Sequence, residues 1–325
     1  MNVRQLLAPL TPFYRLSLAL RRRRLRSGRE PVRRLRLPVI SIGNLSTGGA
    51  GKTPLAIALA LALTARGVAV DVLSRGYGRR SRSAARVDPA GSAGEYGDEP
   101  LLIARAAGVP VWVAAERYDA GVLAESEMDA QGARVHLLDD GFQHRQLHRD
   151  VDILLVSRAD LQDRLLPAGN LREPMSAIER ASVIAIPSDD PALESDLRSR
   201  GWHGPVWRLR RPMQIPPLDG PVLAFCGIAR PAQFFAGLES AGARIAWRRA
   251  FPDHHCYTQA DLDRLAEQAR AAGAAALLTT EKDAVRLRGL QAPLPVFTAA
   301  LRIEIEDEPA ALGWLLAHTP DSVRG

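Results

Sequence analysis

Between a short apolar segment, residues 37–44, and a long Ala/Leu-rich run, residues 54–67, the chain reads Ser46-Thr47-Gly48-Gly49-Ala50-Gly51-Lys52-Thr53. Strand, glycine-rich turn and helix in that order place backbone N–H groups of residues 48–52 around an anion at the positive end of a helix. Gly48, Gly49 and Gly51 permit the close approach and the dihedrals that a Cβ would forbid. The run nearly matches G-x-x-x-x-G-K-[ST], with Ser46 standing where the first glycine belongs. Lys52 is then spaced to reach β- and γ-phosphates, and the Thr53 hydroxyl to meet Mg²⁺. A tight turn alone would explain the glycines but not the lysine. Of 43 Lys plus Arg, 41 are Arg, and Lys52 and Lys282 are the two exceptions.

The rest of the pattern agrees with a nucleotide-binding α/β fold. Apolar strands at 68–74, 109–114, 134–140, 151–157 and 182–187 alternate with helices at 100–108 and 118–132, the signature of a parallel sheet covered on both faces. A Pro- and Arg-rich stretch, 208–221, precedes a second αβ pattern that ends in a helix at 308–317. The expectation is a P-loop NTPase-type parallel sheet domain over 37–212, a second, smaller α/β domain over 213–325, and a basic amphipathic segment over 1–36.

That segment carries the charge. Residues 1–36 hold eleven Arg against Glu30, a balance of +10, while the net charge of the whole chain is +7 and the remainder is slightly acidic. Pro9, Pro12 and Arg15 interrupt its apolar stretch, which is far short of the roughly 20 residues needed to span a bilayer. The Arg cluster follows the apolar stretch, the reverse of a signal peptide. From Pro12 onward Phe13, Leu16 and Leu20 recur at helical spacing beside Arg21 to Arg24 and Arg26, which predicts a helix lying in an anionic membrane surface through residues 12–36. A helix packed on its own protein is the competing reading. Nucleic-acid binding is not favoured, because one basic run has no recognisable module behind it, and no obligatory protein partner is inferred. Cys226 and Cys256 cannot form a disulfide framework, which suits a reducing compartment.

A metal-holding acid is expected at the end of another apolar strand, and Asp139 and Asp140 stand there before a sharp Gly141 turn. Two adjacent carboxylates are costly to hold without a cation; a solvated Asp-Asp-Gly turn is the alternative.

Several segments together resemble the tetraacyldisaccharide 4'-kinase family, the inner-membrane lipid A kinases of Gram-negative bacteria. They are 41–44 running into the 46–53 loop, Ser74-Arg75-Gly76-Tyr77-Gly78, Gly97-Asp98-Glu99-Pro100, Asp139-Asp140-Gly141-Phe142-Gln143-His144, Leu171-Arg172-Glu173-Pro174, Phe251-Pro252-Asp253-His254-His255 and 279–285. Ser46 is similar to that family's usual form. The resemblance implies transfer of the γ-phosphoryl group of ATP, with Mg²⁺, to the 4'-hydroxyl of a lipid A disaccharide precursor at the cytoplasmic face of the inner membrane, the enzyme being peripheral. It implies Asp98 as catalytic base and His254 as its partner. From the residues alone Asp98 is equally a helix-capping acid ahead of Pro100, and spacing does not separate His254 from His255. Arg75 and Arg117 are candidates for phosphoryl or substrate phosphate contacts, with ordinary surface positions as the alternative. Arg172, Glu173, His144 and Lys282 are further candidates, Lys282 on a loop able to close over nucleotide. The rival function is a P-loop ATPase or GTPase switch acting on a protein partner at the membrane.

Overall fold

The computed structural model describes residues 7–127 and 134–319. In chain order the strands are β1 (Val39–Asn44), β2 (Ala69–Ser74), β3 (Ala85–Arg86), β4 (Val111–Val113), β5 (Arg134–Asp139), β6 (Val151–Leu155), β7 (Val183–Pro187), β8 (Val206–Arg210), β9 (Met213–Gln214), β10 (Val222–Cys226), β11 (Ile245–Ala250), β12 (Ala276–Thr280), β13 (Val296–Leu301) and β14 (Glu304–Ile305). Among the described residues they form a nine-stranded sheet, ordered β14-β8-β7-β6-β1-β5-β2-β4-β3, and a five-stranded sheet, ordered β11-β10-β12-β13-β9. All pairings in the larger sheet are parallel except those of the edge strands β3 and β14.

β1 is buried at every residue, as the Val-Ile-Ser-Ile run requires of a central strand sandwiched by helices. It leads directly into the glycine-rich turn and helix α1 (Lys52–Thr64), which starts two residues before the expected 54. Its Leu/Ala sequence is apolar all round, and accordingly Leu55, Ala56, Leu59, Ala60 and Leu63 are buried. Gly43 lies in this strand because a Cβ there would meet the Phe142 backbone nitrogen at 2.9 Å.

Two expectations are corrected. The helix expected at 118–132 runs Arg117–Ser126, and residues 128–133 lie outside the described residues. The smaller domain was expected to extend to 325. Instead β14 joins the edge of the larger sheet beside β8, and the helix α2 (Glu308–Ala317) buries Ala311, Leu312 and Leu315 in the core that also holds Ile40, Leu59 and Leu63. Apolar Trp207 and Trp314, edge to face with centroids 6.4 Å apart, fix that return. The smaller sheet is therefore an insertion between two strands of the larger one.

The basic segment forms a helix, Thr11–Arg26, with two apolar sides. Tyr14 and Leu18 pack on a core cluster beneath the sheet, and the Tyr14 hydroxyl donates to the Arg172 carbonyl at 2.9 Å. Phe13, Leu16 and Leu20 face outward, 71%, 57% and 49% exposed. Among the described residues no helix is long and apolar enough to cross a membrane.

Candidate active site

The turn after β1 has the backbone that its glycines allow: φ is 77° at Gly48, 50° at Gly49 and 91° at Gly51. Ser46 has a use that glycine would lack, since its hydroxyl accepts from the Asn44 side-chain amide at 3.2 Å. Asn44 Oδ1 in turn accepts from Lys52 Nζ at 2.9 Å and from Arg172 at 2.6 Å. The Thr47 N–H donates to the Asn170 carbonyl at 2.8 Å. The loop is thus braced from both ends, and Ala50 and Thr53 complete it. Lys52 Nζ also lies 3.6 Å from Asp140.

Asp139 ends β5 and Asp140 begins the turn after it, and the two differ in environment. Asp140 adopts φ 49° and receives both its oxygens' partners from Arg172, each at 2.9 Å. Burial alone would raise its pKa, but Lys52 and then Arg172 bring it down to about 2. Asp139 is 2% exposed; Oδ2 accepts from the Ser74 hydroxyl at 3.3 Å, and Oδ1 has no partner among the described residues. Burial, then the charges of Glu99 and Asp140, push its carboxyl up to about 7. A buried carboxylate with one bare oxygen suits a hard cation whose remaining ligands are phosphate oxygens and water, with Thr53 at the adjoining helix start. Among the described residues no three His, Cys, Asp or Glu converge as an all-protein metal cage.

Of the remaining candidates, Arg117 is 8% exposed with no partner for Nε among the described residues, and burial first and then Arg75 lower its pKa against the pull of Asp140. Arg75 itself is exposed. His144 is held neutral, its pKa pulled down to about 3 by burial and then by Arg117. Glu173 turns away from the loop and pairs with Arg180 at 2.8 and 3.0 Å.

Across the same cleft, helix α3 (Asp98–Ala107) begins after Gly97, whose φ of 90° lets its Cα pack on the Gly76–Tyr77 backbone. Asp98 is 5% exposed. Its Oδ2 meets His254 Nδ1 at 3.2 Å and accepts from Arg286 through Nε at 3.0 Å and through Nη2. Against the effect of burial, His254, Lys282 and Arg286 hold this carboxyl well below the usual carboxylate range. Lys282 donates to Glu99 at 3.0 Å. His254, at φ 59°, sits against the Tyr77 ring, centroids 5.5 Å apart. His255 points elsewhere, to Asp261 at 3.2 Å and onto the Phe251 ring at 4.5 Å. The structure therefore brings His254, not His255, to Asp98.

Sequence reasoning passed over three arginines. Arg286, 7% exposed, is one helical turn after Lys282. Arg211 donates through Nη2 to the Ala50 carbonyl, and the Arg230 side chain lies on Gly49, its Cδ 2.9 Å from where a Cβ would stand. Neither Arg211 nor Arg230 has a carboxylate within ion-pair distance among the described residues. Arg230 also precedes the first residue of the helix Pro231–Ser240, the end at which a cation is disfavoured. In a chain with 41 arginines no composition signal singles these out; their position beside Lys282 and beside the linker was the available clue.

The tetraacyldisaccharide-1-P 4'-kinase family model matches residues 3–319. The tetraacyldisaccharide 4'-kinase of Koribacter versatilis is 42% identical over 290 residues, covering 86% of this chain and 88% of that one. That of Parvibaculum lavamentivorans is 42% identical over 333 residues, covering 98% and 93%. The crystal structure of LpxK from Aquifex aeolicus in complex with ATP superposes with a TM-score of 0.78 at 33% identity, over 97% of this chain and 99% of that one. By that match over nearly its whole length and by these identities, the chain belongs to the tetraacyldisaccharide 4'-kinase family.

Proposed function

We propose that the protein transfers the γ-phosphoryl group of ATP to the 4'-hydroxyl of a tetraacyldisaccharide 1-phosphate in lipid A biosynthesis. What supports this reading is that one segment, residues 227–230, touches both a positive-φ phosphate loop, through Ala229 on Gly48 and Arg230 on Gly49, and a buried carboxylate's histidine, through the Gly227 carbonyl that accepts from the His254 N–H. A nucleotide switch needs the first of these but has no use for the second.

The loop N–H groups and Lys52 hold the β- and γ-phosphates, while Arg172 fixes Asp140 and Asn44 so that Lys52 keeps its position. Asp139 and Thr53, with Asp140 behind them, are the residues to hold Mg²⁺; when bound, the ion neutralises phosphate charge. Asp98 accepts the proton of the 4'-hydroxyl as that oxygen bonds to the γ-phosphorus and the bond to the β–γ bridging oxygen breaks, releasing ADP. His254 orients Asp98 and balances its charge. Because the low pKa of Asp98 keeps it ionised at neutral pH, the base is in its working form without tuning upward. Arg117, buried and with no partner for Nε among the described residues, meets a further phosphate oxygen, and exposed Arg75 adds its charge near Arg117.

The outward stripe of Phe13, Leu16 and Leu20 supports a peripheral enzyme seated on an anionic membrane surface, the cytoplasmic face of the inner membrane, with Arg21 to Arg24 among lipid phosphates. The test is transfer from labelled ATP with Mg²⁺ to the disaccharide in detergent micelles. Wild type phosphorylates the lipid; Lys52→Ala and Asp98→Ala each lose about 10²-fold or more in kcat. An unphosphorylated lipid with the wild type would overturn the assignment, and near-normal transfer by Asp98→Ala would remove Asp98 from its role.

A further inference from the structure

Arg286 makes more polar contacts with the base cluster than any other residue described above, and it comes from the inserted unit rather than from the sheet that carries Asp98. Its Nε and Nη2 donate to Asp98 Oδ2, its Nη1 donates to Asp283 Oδ1 at 3.0 Å and to the Gly227 carbonyl at 3.1 Å, and Nη2 lies 3.3 Å from His254 Nδ1. Asp283 is in turn fixed by the Gly227 N–H at 3.0 Å and by the Thr280 hydroxyl at 2.7 Å. The guanidinium plane is therefore set by three elements of the insertion before it meets the base. Side-chain exposure is 7% for both Arg286 and Asp98, so water does not compete for the contact.

The two oxygens of Asp98 are treated unequally. Oδ2 takes Arg286 and His254, whereas Oδ1, among the described residues, accepts from the Glu99 N–H alone, at 3.1 Å. A carboxylate oxygen has two acceptor positions, so Oδ1 retains one. We propose that Arg286 is a positioning residue for the base: it saturates Oδ2 from the inserted unit, leaving Oδ1 as the atom that takes the acceptor hydroxyl's proton, and makes that geometry conditional on the two units being docked. The inference rests on the reading of Asp98 as base. Lys282, four residues earlier on the same helix, makes the companion contact to Glu99, so adjacent acids of one unit are read by two cations one helical turn apart on the other. The charged and titratable groups facing Asp98 are His254, which also has Asp253 at 3.8 Å, together with Lys282 and Arg286 of the inserted helix and neighbouring Glu99.

A residue that merely tied the units together would change stability and would tolerate another cation in its place. The experiment measures kcat and KM for ATP on the full chain in micelles for wild type, Arg286→Met, Arg286→Lys and Asp98→Asn, with thermal unfolding recorded for each. Arg286→Met is expected to lose about 10²-fold in kcat, the cost of a misplaced reacting group, with KM for ATP within about threefold of wild type. Arg286→Lys keeps the charge but cannot span Asp98, Asp283 and Gly227 in one plane, so kcat falls there as well, at a melting temperature near that of wild type. A KM for ATP that rises in step with the fall in kcat of Arg286→Met, or wild-type kcat in Arg286→Lys, overturns the positioning role. Should Arg286→Met not fold, the Lys variant decides alone. Near-normal transfer by Asp98→Asn would instead refute the base reading itself, and the two failures are thereby separate.

Discussion

Replacing Asp139 by Asn should make the protein more stable and inactive at once. The carboxyl is 2% exposed, has one bare oxygen and faces the charges of Glu99 and Asp140. Its pKa moves from 3.8 to about 7 on folding. At about 1.4 kcal/mol for each tenfold in an ionisation constant, the ionised form costs the native state on the order of 4 kcal/mol. The sign follows from proton counting: between pH 4 and 7 the folded chain holds a proton that the unfolded chain has released, so stability falls as pH rises, and the deficit is complete above pH 7. Asn removes the charge but leaves an amide with too few partners, which returns roughly 1–3 kcal/mol. The net expectation is therefore a stabilisation of about 1–3 kcal/mol at pH 8 without divalent cations. That gain shrinks steadily toward pH 4, where both side chains are neutral in the folded state. Urea unfolding at pH 4.5, 6 and 8 in chelator reads the difference directly. Adding Mg²⁺ and nucleotide should stabilise the wild type more than the variant, which keeps the phosphate loop and Lys52 but lacks the carboxylate. A variant less stable than wild type at pH 8, or a difference independent of pH, would refute the argument that Asp139 is a charge awaiting a cation.

Two further outcomes follow from the geometry. Arg230→Ala removes a cation that faces the phosphate loop without a carboxylate of its own, so KM for ATP should rise about tenfold while melting temperature stays within a few degrees; titration calorimetry with a nonhydrolysable nucleotide checks it. Substituting Phe13, Leu16 and Leu20 together by Ser removes exposed apolar surface and buries nothing new, so partitioning onto vesicles containing anionic lipid should fall at least tenfold with unchanged turnover on a micellar substrate; equal partitioning would mean that the stripe does not meet lipid.

The legible parts were those in which local chemistry decides the outcome. Gly48, Gly49, Gly51 and Lys52 announce a phosphate loop because no other arrangement uses a lysine after such a turn, and β1 and its helix follow from apolar runs of the right length. The return of β14 to the larger sheet was not legible: Glu304–Ile305 is two residues long, and its pairing with β8 is decided by packing of Trp207, Trp314 and Leu312. Spacing alone did not separate His254 from His255, since both follow Asp253; the resemblance implied His254, and in three dimensions Asp261 holds His255 away from Asp98. Arg286 was hidden for a different reason. Its contact with the base lies 188 positions away, and the one trace along the chain is its place a helical turn after Lys282.

The insertion leaves the larger sheet and re-enters it side by side. Arg210 pairs with Glu304, Met213 with Leu301, and between them the Arg302 N–H donates to the Pro212 carbonyl at 3.0 Å. Two antiparallel strands crossing together behave as a leaf spring: they bend readily across their plane but resist shear and twist, because either would break the ladder between them. A single tether would let the inserted unit tumble and would charge the whole rotational entropy to each encounter of Arg286 with Asp98. A two-stranded tether restricts that freedom before contact, so less entropy remains to be lost when the guanidinium meets the carboxylate.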